Sequence, residues 1–67
     1  VKLSAEEWRV AREVCTPRQL QVLDLWRRGA GKKRIGLVLG IHPSTAAEHV
    51  RAGLDNVAKR LEEASAA

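Results

Sequence analysis

Phenylalanine, tyrosine and methionine are absent from this 67-residue chain, and Trp8 and Trp26 are its only aromatics. A hydrophobic core must therefore come from Leu, Val, Ile, Ala and those two indoles. Two prolines and five glycines leave long stretches free for helix. Alternating runs of Val, Ile and Thr are missing, which argues against sheet. Cys15 is the single cysteine and has no partner for an internal disulfide, so a reducing interior suits the chain. No apolar run approaches membrane-spanning length and no signal peptide is visible. Val1 is not an initiator methionine, which points to a start that is processed, trimmed or cut from a longer chain.

Catalytic and metal signatures are missing as well. His42, His49 and Cys15 do not have metal-ligand spacing. No acid pair or nucleophile–base constellation is present, so a non-enzymatic protein without cofactor or metal is expected. Gly29-Ala30-Gly31-Lys32 resembles a phosphate loop only on the surface. Trp26 stands where its first glycine belongs, Lys33 stands where Ser or Thr is needed, and the segment follows a helix rather than a strand.

What is present is basic charge, unevenly placed. The net charge is +4 and the isoelectric point about 10.0. Residues 1–26 carry four basic and four acidic side chains. Residues 27–51 carry six basic ones (Arg27, Arg28, Lys32, Lys33, Arg34, Arg51) against Glu48 alone. Residues 52–67 carry two basic and three acidic. A local basic patch of this kind is the electrostatic footprint of nucleic-acid binding.

Start and stop signals divide the chain into four helices. Ser4 with Glu7 reads as a capping box, with acids in the first turn where the helix dipole favours them. Helix 1 is expected over 5–14, with Trp8, Ala11 and Cys15 on one face. Thr16-Pro17 starts helix 2 and Gly29 stops it, over 17–28, with Gln19, Val22, Leu23 and Trp26 on one stripe. Helix 3 spans 32–39 and ends at Gly40. Ile41 then reads as a buried anchor of the turn, and His42-Pro43 opens a last helix over 43–63. Ala47, Val50, Leu54, Val57, Leu61 and Ala64 recur at heptad-like spacing. Leu54, Val57 and Leu61 can close the core or pair with a second copy. Residues 1–64 form one all-α, four-helix domain, and the tail 65–67 is expected to fray. A core this small is marginal and favours tight helix packing or a partner.

Helix 3, the Gly40-Ile41-His42 turn and helix 4 form a helix-turn-helix over about 31–54. Lys32, Lys33 and Arg34 occupy the first turn of helix 3, where each cation opposes the macrodipole by about 0.3–1 kcal/mol. A phosphate ligand accounts for that choice.

Thr16-Pro17-Arg18-Gln19, Val22 to Trp26, Gly29, Lys33 to Gly36, Leu39 to His42, Thr45 and His49-Val50-Arg51 together resemble the LuxR-type helix-turn-helix. They are similar also to region four of bacterial sigma factors. The likeness runs from about Thr16 to Val57 without internal gaps. It implies a bacterial or phage DNA-binding transcription regulator, cytoplasmic and away from membranes, whose helix 43–54 enters the major groove of duplex DNA. By position it implies base contacts from Ser44, Ala47, Glu48 and Arg51, with Arg51 suited to guanine and Glu48 to cytosine. It implies phosphate contacts from Arg18, Lys32, Lys33, Arg34, Thr45 and His49.

The chain departs from that pattern in several places. Gln19 stands where the family usually has Glu, Gly36 and Ala46 replace slightly larger small residues, and Ala47 is short on the reading face. Gly53 replaces a core aliphatic residue and Trp26 a core Leu, which suggests that the indole fills the volume vacated at Gly53. Alternatives stay open at this point. One is a homodimer through the C-terminal helix. Another is a sigma-like module that docks on RNA polymerase or a regulator protein. A third is a phage packaging or recombination accessory.

Overall fold

The computed structural model describes residues 3–66. It contains α1 (Ala5–Val14), α2 (Pro17–Arg27), α3 (Lys32–Leu39) and α4 (Pro43–Ala66), and no strand among the described residues. The start of every helix falls where the caps predict. Ser4 Oγ accepts the Glu7 N–H at 3.1 Å, and the Glu7 carboxylate accepts the Ser4 N–H at 2.9 Å. Thr16 and Gln19 make the same reciprocal pair at the start of α2.

The stops differ slightly from expectation. α2 ends at Arg27, with Arg28 as its cap. The left-handed Gly29 (φ 104°) donates to Trp26 O, and Ala30 donates to Leu25 O. Those two bonds are the Schellman closure, which satisfies carbonyls that the helix end would otherwise orphan. α4 runs three residues past its expected end: Ser65 and Ala66 are helical, and Ala67 lies outside the described residues. Nothing between Pro43 and Ala66 carries a strong stop signal, because Gly53 alone costs only about 1 kcal/mol against Ala in a helix interior.

α4 packs against all three other helices. At about 1.5 Å per residue its 24 residues span roughly 36 Å, which sets the 40 Å long axis of the molecule. Two buried clusters flank it. One gathers Ala11, Leu23 and Val57, with Trp8, Leu54 and Leu61 packed around them. The other gathers Val22, Ile35 and Ala46, with Leu39 and Ile41 packed around them. Trp26 and Val50 touch both clusters and join them into one core. Leu54, Val57 and Leu61 thus pack inside the domain, and Ile41 packs against the second cluster but is half-buried rather than buried as expected.

Gln19 lies on the expected stripe of α2 as its half-buried polar member: its Oε1 accepts from Thr16 N–H at 3.0 Å and from Asn56 Nδ2 at 3.2 Å, tying the start of α2 to α4. Two side-chain expectations are corrected. Ala64 is exposed, because α4 extends beyond the helices that cover it. The volume beside Gly53 is filled by Leu23 rather than by Trp26. A Cβ at Gly53 would lie 2.7 Å from Leu23 Cδ1 and 3.1 Å from its Cγ. Leu23 is fully buried one turn before Trp26 on α2, so it is the aliphatic chain that reaches α4 there.

Candidate nucleic-acid interface

The turn between α3 and α4 is held by backbone geometry around Gly36 and Gly40. Gly40 is left-handed (φ 68°, ψ 35°), a conformation that costs residues with a Cβ about 1–2 kcal/mol. The N–H groups of Gly40 and Ile41 both turn back to the Gly36 carbonyl. The chain then folds so closely over Gly36 that a Cβ there would meet the Ile41 carbonyl oxygen at 2.5 Å and the Pro43 nitrogen at 3.3 Å. The angle between α3 and α4 therefore depends on a missing side chain.

His42 caps the second helix of the pair. Its Nδ1 accepts the Ser44 N–H at 3.0 Å, while its backbone oxygen accepts the Ala46 N–H at 3.0 Å. This tautomer keeps Nδ1 as acceptor and leaves the proton on Nε2. Ser44 is thereby fixed at the second helical position, with its side chain exposed.

From that start, exposure selects one face of α4. Ser44, Glu48, Arg51 and Asp55 are exposed at i, i+4, i+7 and i+11, and Ala46, Gly53 and Val57 are buried on the opposite side. Ala47, Thr45 and His49 flank the exposed stripe and are half-buried. The four residues proposed as base readers thus fall on or beside one outward face. Asp55 belongs to the same face and escaped the sequence reading, because only the buried side of α4 shows how far that stripe continues. It places a second carboxylate one turn after Arg51.

The basic patch is smaller than a count along the chain suggests. Asp24 lies just before the basic segment and, one turn back on α2, faces two of its arginines. Arg27 binds Asp24 Oδ1 at 2.7 Å and stacks over the Trp8 ring at 4.3 Å. Arg28 reaches the same oxygen at 3.4 Å from a largely exposed position. Arg18, Lys32, Lys33, Arg34 and Arg51 are exposed and make no ion pair among the described residues. Lys32 and Lys33 stand at the start of α3, whose cap Gly31 supplies no side-chain acceptor, so its first N–H groups stay open.

Cys15 is half-buried at the end of α1, with Sγ donating to the Gly53 carbonyl at 3.6 Å. Burial pushes its thiol pKa above the ordinary value, so it stays a small neutral packing group. Among the described residues no group of His, Cys, Asp and Glu could hold a metal ion, and no helix is long and apolar enough to cross a membrane. No family model, no curated protein and no solved structure matches this chain.

Proposed function

We propose that the chain is a DNA-binding module of a transcription regulator that lays the first turns of α4 in the major groove of duplex DNA. The observation that carries this reading is the exposed stripe Ser44, Glu48 and Arg51 on a helix capped at His42, beside the unpaired Lys32 and Lys33 at the open start of α3. Arg51 is of a type that reads guanine and Glu48 of a type that accepts from cytosine. Lys32, Lys33, Arg34 and Arg18 supply sequence-independent attraction to phosphate, with Thr45 and His49 at the edge of the contact. With about five phosphate contacts, the log–log dependence of affinity on salt should have a slope of about −4 to −5. The carboxylates of Glu48 and Asp55 repel phosphate and narrow the sequences that a single copy holds tightly.

Selection of bound sequences from a random duplex library tests the reading. Arg51→Ala is expected to relax base preference at one position of the selected site, while Lys33→Ala weakens all duplexes alike. Binding unchanged in both variants would remove α4 from the groove.

A further inference from the structure

α3 carries two exposed apolar side chains that the duplex-binding reading does not use, beside cations that it does. Its inward side is Ile35 and Gly36, both buried, so Lys33, Arg34, Leu37 and Val38 point outward. Leu37 is 82% exposed and Val38 57%. A single exposed leucine is ordinary on a protein surface, but here its neighbour Val38 lines a groove. The groove, of about 580 Å³, lies between the end of α2, the following turn and α3, and Leu25, Ala30 and Val38 line it. Arg28 and Arg34 stand on its walls. Arg34 makes no ion pair among the described residues, and Arg28 holds Asp24 only at 3.4 Å with its side chain 67% exposed. The site thus offers apolar surface with available guanidinium groups at its edge.

Charge decides which occupant fits. A phosphate backbone would satisfy the arginines but leave Leu37 and Val38 against polar oxygens, where apolar side chains gain nothing. A second copy meeting the same face would oppose Arg28, Lys33 and Arg34 to themselves, since a two-fold contact pairs each patch with its own image. An acidic segment carrying apolar residues satisfies both halves. Its apolar side chains cover Leu37 and Val38 and enter the groove, and its carboxylates meet the arginines in bidentate pairs.

We propose that the outer face of α3, with the adjoining groove, docks an acidic amphipathic segment of a partner protein. The contact is small and therefore transient, with charge setting its on-rate and the apolar pair its specificity. It does not rest on the duplex-binding reading, because neither Leu37 nor Val38 is assigned to DNA.

The test is selection of random displayed peptides of about 16 residues against the purified chain, followed by affinity measurement on a variant carrying Leu37→Ser and Val38→Ser. Enriched peptides should be net acidic, with apolar residues spaced three or four apart as on one helix face. Their affinity should fall at least about tenfold in the serine variant and at raised salt. Random-duplex affinity and thermal melting should stay as in the parent. Leu37→Ser alone, at the more exposed position, carries the comparison if the double variant melts lower. The proposal is overturned if nothing is enriched, if the enriched peptides are neutral or basic, or if they bind the variant as tightly as the parent. Duplex affinity falling together with peptide affinity would overturn it too, since the face would then belong to a nucleic-acid contact. So would light scattering that shows a dimer in the parent and a monomer in the variant, which would make a second copy the occupant.

Discussion

Gly36 and Gly53 are both buried glycines inside helices, yet they are surrounded by different atoms, and that difference decides what each tolerates. A Cβ at Gly36 meets backbone, the Ile41 carbonyl at 2.5 Å, which cannot move without opening the helix-turn-helix. A Cβ at Gly53 meets the end of the Leu23 side chain, which can give if space is made. Gly36→Ala is therefore expected to destabilise by about 2 kcal/mol or more, whatever is done to neighbouring side chains. Gly53→Ala gains about 1 kcal/mol of helix propensity against about 1–3 kcal/mol of overpacking. Combined with Leu23→Ala, it should recover part of the cavity cost, giving a coupling of about 0.5–3 kcal/mol in a urea-denaturation cycle. Gly53→Ala with Trp26→Leu should instead be additive within about 0.5 kcal/mol. Strong coupling to Trp26 and none to Leu23 would restore the compensation that the sequence suggests. That suggestion failed for a simple reason: Leu23 and Trp26 lie one turn apart on the same helix, and periodicity does not say which of them lies against Gly53.

At the scale of the element, α3 carries the charges that its own stability most disfavours. Lys32, Lys33 and Arg34 sit at its positive end, and Gly31 offers no side-chain cap. Lys33→Glu is expected to raise the unfolding free energy by about 0.3–1 kcal/mol, because an acid there complements the macrodipole. The same change should lower affinity for any duplex at low salt and reduce the salt slope by about 1. Lost stability in that variant would mean that Lys33 has a structural partner. The helices themselves were legible because their ends are written locally: Ser4 with Glu7, Thr16-Pro17, and His42-Pro43 each supply a start, and Gly29 and Gly40 each supply a stop. Gln19 shows where that legibility ends. Its cap bond to Thr16 is local, but its bond to Asn56 spans 37 positions, and no sequence rule links them.

Across the whole molecule, α4 is both the spine of the fold and the carrier of the candidate reading face. The stripe of Leu54, Val57 and Leu61 that had two readings lies in the cluster around Ala11 and Leu23, with Val57 3% exposed. Leu61→Glu should therefore cost about 1–3 kcal/mol by placing a carboxylate against the α1–α4 contact. In a domain of this size that is roughly 4–8 °C of melting temperature per kcal/mol. Light scattering should find the same oligomeric state as the parent; a parent dimer that the variant dissolves would reassign the stripe to an intermolecular contact.

The sequence by itself determined the four helices, their order and the outward-facing half of α4, because caps, stops and apolar periodicity act over a few residues. It also placed the cations at the start of α3. Which of the other cations are available was decided partly within one helix, because Asp24 pairs with Arg27 and Arg28 along α2. Only the tertiary structure sets Trp8 over Arg27, and the basic patch shrinks to side chains that make no ion pair among the described residues. It likewise decided that Leu23 fills the space at Gly53 and that Leu37 and Val38 stay outside. Apolar residues on so short a helix exceed the face that α2 and α4 can cover, and which of them is left over is a matter of packing between helices.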